Sequence, residues 1–227
     1  MHDNPVCLRV AERTDTVLLS FSRGKDAIGA WIELRRYFKR VIPYYAYLVP
    51  GLMSFERQSL AYYQDFFKTE IICVPHPQVY RWINGGLFQP PDRMQLTEAA
   101  GLPLYSWQDI EAEIRKDAGL GAEALTATGM RGADSLNRRM ALRKTGGISL
   151  NTGKFFPVGE WNLDRLMEEI GSAGVKLPHD YKIFSRSFDG LYYEFIAGLK
   201  EHLPADFELL KCWYPWCELE VLRYGLK

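Results

Sequence analysis

The run Ser20-Phe21-Ser22-Arg23-Gly24-Lys25-Asp26-Ala27 combines the groups that a phosphate needs. An apolar stretch ends at Phe21, a short polar loop follows, and a helical pattern opens directly behind it. Backbone N–H groups at a helix start have no intrahelical partner and carry partial positive charge, which suits an anion. Gly24 lets the backbone come close. Lys25 adds a mobile positive charge and Ser22 a hydroxyl. Asp26 either offers oxygen to Mg²⁺ or caps the helix. The same string also suits a plain strand-to-helix turn, and its place behind a buried strand favours the phosphate. The long spacer and Lys-Ser/Thr ending of a Walker A loop are missing.

A second anion motif spans Ala127-Thr128-Gly129-Met130-Arg131-Gly132-Ala133-Asp134-Ser135-Leu136-Asn137-Arg138-Arg139. Gly129 and Gly132 flank Arg131 at the end of an expected strand, with a helix behind it. A guanidinium there can fork onto phosphate or sulfate oxygens. Arg138, Arg139, Arg143 and Lys144 extend the basic character, and a solvated helix face accounts for Arg138 and Arg139 equally well.

The first loop resembles the PP-loop of the N-type ATP pyrophosphatases, Ser-Gly-Gly-x-Asp-Ser. It is most similar to the version in the phosphoadenosine phosphosulfate (PAPS) reductase-like branch, Ser-x-Gly-Lys-Asp-Ser. Arg23 replaces a glycine of the general pattern, and Ala27 replaces the final serine. The Arg131 segment is similar to the family's Gly-x-Arg element, with Asp134-Ser135 where Glu-Ser is usual. Phe155-Phe156-Pro157-Val158-Gly159-Glu160-Trp161-Asn162 resembles the family's Pro-x-x-x-Trp-Thr stretch. The resemblance covers residues 16–170.

This resemblance implies an α/β parallel-sheet domain that binds ATP, APS or PAPS. Ser20, Phe21, Ser22, Arg23, Gly24 and Lys25 would meet the nucleotide from one loop, and Gly129, Arg131, Ser135 and Arg138 from the other. Lys25, Asp26 and Arg131 would carry the chemistry, with Mg²⁺ on Asp26. The favoured reaction is attack on the α-phosphate of ATP with release of pyrophosphate, in sulfur transfer or nucleic-acid modification beside a nucleic-acid-binding protein partner. Two rivals stand beside it: a sulfonucleotide (PAPS) reductase, and a regulatory module that binds the nucleotide with little turnover.

The cysteines bear on the first rival. PAPS reduction uses a cysteine in a Glu-Cys-Gly-x-His-type string, which does not occur here. The APS-reducing relatives hold an iron–sulfur cluster on four cysteines that include an adjacent pair; no two are adjacent among Cys7, Cys73, Cys212 and Cys217, so the resemblance implies no cluster here. The Cys212-Trp213-Tyr214-Pro215-Trp216-Cys217 pair reads as two thiols in an aromatic core or, through a kink at Pro215, as a redox or zinc pair.

The elements that must position these groups follow from patterning. Residues 16–21 form an apolar run expected as a buried strand, and 27–40 alternate with helical spacing. Further strands are expected over 41–49, 70–74 and 124–129, and helices over 55–68, 77–88 and 107–117. Residues 89–92 read as a loop. β-α-β order implies a parallel sheet, with ligands at the carboxyl ends of its strands. From Asn162 onward the pattern is helical, so a nucleotide-binding domain over 1–160 and a helical extension over 161–227 are expected.

Hydrophobic residues make up 47% of the 227, enough for a sizeable core. With 28 basic and 28 acidic residues the chain lacks the surplus of a general nucleic-acid coat, although a local basic cleft remains open. No apolar run approaches membrane length, and the first residues resemble no targeting signal, so a cytoplasmic protein is expected.

Overall fold

The computed structural model describes residues 3–225. Its helices and strands follow one another as α1 (Pro5–Ala11), β1 (Thr16–Ser20), α2 (Lys25–Leu34), β2 (Arg40–Tyr47), α3 (Ser54–Phe67) and β3 (Ile72–Pro75). Then come α4 (Pro77–Asn84), α5 (Pro91–Ala100), α6 (Trp107–Asp117), β4 (Thr126–Thr128), α7 (Leu136–Thr145), β5 (Ile148–Ser149) and β6 (Lys154–Phe155). From there on the regular elements are all helical: α8 (Leu163–Ala173), α9 (Asp180–Phe184), α10 (Tyr193–His202), α11 (Pro204–Trp213) and α12 (Glu218–Gly225). The fold is α/β, with one six-stranded sheet in the order β3-β2-β1-β4-β6-β5. β1 pairs in parallel with both β2 and β4, β4 pairs in parallel with β6, and β5 runs antiparallel to β6.

This order places a topological switch beside β1. The chain first builds outward through β2 and β3, then returns to lay β4 on the other flank of β1. The loops behind β1 and β4 therefore leave the same edge in opposite directions, opening a crevice where ligands of open α/β sheets settle.

The chain divides into two compact units, each built from separated segments. One holds residues up to 45, 62–73 and 108–177, and the other holds 46–61, 74–107 and those from 178 on. In the first, Val17, Leu18 and Leu19 are wholly buried, as an unbroken apolar run in a sheet covered on both faces requires. Trp31 of α2 stacks on Phe67 at 4.1 Å between ring centres. A Cβ on Gly29 would stand 2.3 Å from Cδ1 of Leu166, so that glycine lets α8 lie close against α2. The second unit closes around its own core, where Phe188 meets Phe55 at 5.9 Å and Phe195 at 5.1 Å, both edge-on. Asp206, 3% exposed, accepts from the backbone N–H of Ser54 at 2.7 Å and from its hydroxyl at 2.6 Å, securing the start of α3.

Several local expectations need correction. The helix expected over 27–40 stops at Leu34, because Arg40 already stands in register with Thr16. The loop expected over 89–92 gives way at Pro91, where α5 begins. α5 buries none of its side chains, so it carries no apolar stripe to announce it. α1 and the two-residue strands β5 and β6 also went unread.

Candidate active site

The first loop is anchored before it is charged. Phe21 is buried, its ring edge-on to Trp31 at 4.9 Å and to Tyr63 at 5.2 Å, and its N–H donates to the carbonyl of Tyr44 at 2.9 Å. Ser22 is exposed, and its Oγ accepts from the Gly24 N–H at 3.4 Å. Arg23 sits at φ 62, the left-handed region where a glycine is the ordinary choice. Its side chain turns inward, fully buried, with the guanidinium 5.1 Å from the ring centre of Tyr45. Such a conformation costs a non-glycine residue on the order of 1–3 kcal/mol. The approach of the guanidinium to the Tyr45 ring works against that cost.

Gly24 is the N-cap of α2 and supplies no side-chain cap. The contrast lies within the same unit. Asn4 caps α1, Ser135 caps α7 and Asn162 caps α8, each through a side-chain oxygen. The first turn of α2 thus starts at the carboxyl end of β1 behind an N-cap residue that brings no side-chain oxygen of its own.

β4 delivers the facing wall. A Cβ on Gly129 would lie 2.6–2.8 Å from the backbone of Asp26 and Ala27, so only glycine lets the end of β4 press on the first turn of α2. Arg131, 4% exposed, then closes the contact. Its Nε donates to Oδ1 of Asp26 at 2.6 Å, and one terminal nitrogen donates to Oδ1 of Asp134 at 2.7 Å. Arg138 takes the other oxygen of Asp134 at 2.7 Å, and Lys25 stands 3.5 Å from Oδ2 of Asp26. Charges therefore alternate from Lys25 through Asp26, Arg131 and Asp134 to Arg138.

Within this ladder the links differ. The Lys25–Asp26 contact is long and its two side chains are 30% and 27% exposed, the kind of pair that water and an incoming anion displace easily. Arg131 is held tightly on the protein side. Asp26 neither caps α2 nor stands open, since both its oxygens face cations. Asp134 is in the same state. With both oxygens of each carboxylate facing cations, the site as it stands offers no open carboxylate oxygen to a magnesium ion. Ser135 spends its hydroxyl on the backbone of Arg138 at 3.2 Å. Among the described residues no three His, Cys, Asp or Glu side chains gather as a metal-holding group.

A buried cluster below the loops escaped the sequence reading. Glu111 of α6, 1% exposed, accepts from the hydroxyl of Tyr44 at 3.0 Å and lies 3.7 Å from both Arg115 and Lys154. Arg115 also donates to Thr126 Oγ1 at 3.0 Å. Burial, and then the charge of Glu111, hold the Tyr44 hydroxyl far above its usual pKa. Tyr44 is the register partner of Ser20, so this network ties α6 to the strand ends that carry the loop. The four-residue spacing of Glu111 and Arg115 was the available signal, but burial does not show in spacing.

The thiols of the second unit are separated by environment. Cys217 is buried, and burial followed by the charge of Glu218 raises its pKa to about 11. Cys212 is exposed.

No protein-family model matches the chain, and no curated protein is similar to it in sequence. Among solved structures, the chain is similar to the U34-tRNA thiolase NcsA from Methanococcus maripaludis, at 11% identity and a TM-score of 0.46, covering 93% of this chain and 78% of that one. It is also similar to the NH3-dependent NAD synthetase from Campylobacter jejuni, at 10% identity and a TM-score of 0.46, covering 97% of this chain and 92% of that one.

Proposed function

We propose that this chain binds ATP with its phosphates on the first turn of α2 and directs attack on the α-phosphorus, as a PP-loop enzyme. The observation that carries the reading is the N-terminus of α2: its N-cap is a glycine, it lies at the switch between β1 and β4, and the end of β4 packs on it through Gly129. An acceptor oxygen forms a bond to the α-phosphorus while the bond to the bridging oxygen breaks. The electron pair leaves with pyrophosphate, and the acceptor becomes an adenylate that sulfur or nitrogen can displace. Lys25 moves off Asp26 onto the departing phosphates and balances their charge, together with the N–H groups of Gly24, Lys25 and Asp26. Arg131 stays where it is and holds Asp26, acting as a positioning residue.

The regulatory reading has its own observation. Ala27 brings no hydroxyl to the loop, and Arg23 spends its charge in the interior, so fewer donors reach a phosphate than the family pattern supplies. Product analysis separates the two. Radiolabelled ATP incubated with the protein and a pool of candidate acceptors yields pyrophosphate with AMP or an adenylate if it is an enzyme. Tight binding without turnover marks the module. An absence of ATP binding at millimolar concentration defeats both.

A further inference from the structure

A cavity in the first unit has none of residues 20–27 in its lining. About 570 Å³ in volume, it opens between α1, α7 and the segments around β5 and β6. Arg9, Arg139 and Arg143 line it, with Val6, Leu142 and Phe156 as apolar wall and Glu160 as its one carboxylate. Three guanidinium groups against one carboxylate leave a surplus of two positive charges.

The walls are set by close backbone approaches. Gly147 sits at φ +81, and a Cβ there would stand 2.6 Å from Cγ2 of Val6. Gly132 donates its N–H to the carbonyl of Gly159 at 2.8 Å, and a Cβ on either would lie 3.1 Å from a methyl of Leu142. Two of the arginines are oriented by the same backbone. Arg9 donates to the carbonyl of Gly146, and Arg139 to that of Gly132 at 3.4 Å. A guanidinium already held in place loses less freedom when it meets an anion. α7, which carries Arg139 and Arg143, contains no acidic residue.

The chemistry selects the ligand. Arginine forks recognise phosphate oxygens, apolar side chains accept the face of a planar ring, and a carboxylate accepts from a hydroxyl or an exocyclic amine. We propose that this cavity is a nucleotide site distinct from the phosphate loop, taking a phosphate ester of a nucleoside either free or as one unit of a nucleic-acid strand. The proposal goes beyond the ATP reading and does not depend on it.

The test uses the full chain, with AMP and a fluorescent single-stranded dodecamer as probes, and the exposed pair R139E/R143E beside the milder R139A/R143A. Binding of at least one probe is expected to weaken tenfold or more in R139E/R143E, and less in R139A/R143A. ATP affinity should stay within twofold, and K25A should leave the cavity ligand unaffected. For the strand, the slope of log affinity against log salt should flatten by about 1.4, the share of two phosphate contacts. AMP binding alone identifies a free nucleotide, and strand binding alone identifies nucleic acid. If neither probe binds below about 1 mM, or if K25A abolishes binding that R139E/R143E leaves intact, the proposal is overturned.

Discussion

Nε of Arg131 donates to Oδ1 of Asp26 across 2.6 Å, joining the loop behind β4 to the first turn of α2 over 105 residues of chain. The same guanidinium holds Asp134, so one buried cation keeps two carboxylates apart and fixes the crevice between neighbouring strands. A residue whose type suggests an anion ligand is here spoken for by the protein.

Replacing Arg131 should therefore act on stability as well as on the nucleotide. Lysine has no planar fork and can keep only part of this arrangement. Arg131→Lys is expected to lose about 1–3 kcal/mol, the scale of charged hydrogen bonds, with water around the partly exposed carboxylates limiting the damage. Urea unfolding measures the loss, and calorimetry with ATP shows whether the loop loosens with it. Unchanged stability would contradict the clamp.

Gly129 offers a cleaner test of the same contact. In Gly129→Ala the new methyl meets backbone atoms of Asp26 and Ala27, which no rotamer change can move. A loss of about 1–3 kcal/mol is expected, the usual cost of overpacking, with weaker ATP binding. Gly29→Ala meets only the flexible end of Leu166 and gains helix propensity, so it should cost less. Equal losses in the two variants would remove the special role of Gly129.

Lys25 carries the phosphate reading. Lys25→Ala removes a long, partly exposed pair with Asp26, so melting should change little. ATP binding should weaken by about 1.5–3 kcal/mol, the value of a hydrogen bond to a charged group. Full ATP affinity in the folded variant would separate the loop from the nucleotide.

The legible part of this site was the part that depends on local chemistry. The apolar run before Ser22, the loop residues and the amphipathic α2 announced a strand, a turn and a helix, and the Gly129–Arg131 motif announced a second loop at the same sheet edge. What spacing could not show was which way the charges face. Arg23 reads as a loop cation but lies under the loop against Tyr45. Arg131 reads as an open fork but is closed on Asp26 and Asp134. Both outcomes are set by tertiary burial, as is the Tyr44–Glu111 pair. α5 stayed hidden for the opposite reason, since a helix with no buried side chain leaves no periodic mark.

The thiols should separate in a labelling experiment. Cys73 and Cys212 are exposed, while Cys7 and Cys217 are buried with pKa values raised by that burial. At pH 8 a disulfide reagent should modify Cys73 and Cys212 in the native protein and reach Cys7 and Cys217 only after denaturation. Rapid native labelling of Cys217 would reopen the reductase reading, because it would reveal an accessible thiolate near the C-terminus.

His76 should make stability depend on pH in one direction. It stands at the N-cap of α4, where Nδ1 accepts from the N–H of Gln78 at 3.1 Å, and its ring meets Trp107 edge-on at 4.8 Å. Burial lowers its pKa below the ordinary 6.5. The folded imidazole therefore stays neutral where the unfolded one has begun to bind a proton. Stability linked to this group is complete above about 6.5 and declines as pH falls toward the lower folded value, because the unfolded state binds more protons in that window. Protonation would also remove the lone pair that accepts from Gln78. His76→Asn keeps a capping oxygen without a titrating group. The difference in unfolding free energy between wild type and this variant should be flat from pH 7 to 8. It should move against the wild type as pH falls below about 6.5. A difference that stays constant down to pH 5 would show that His76 titrates alike in both states.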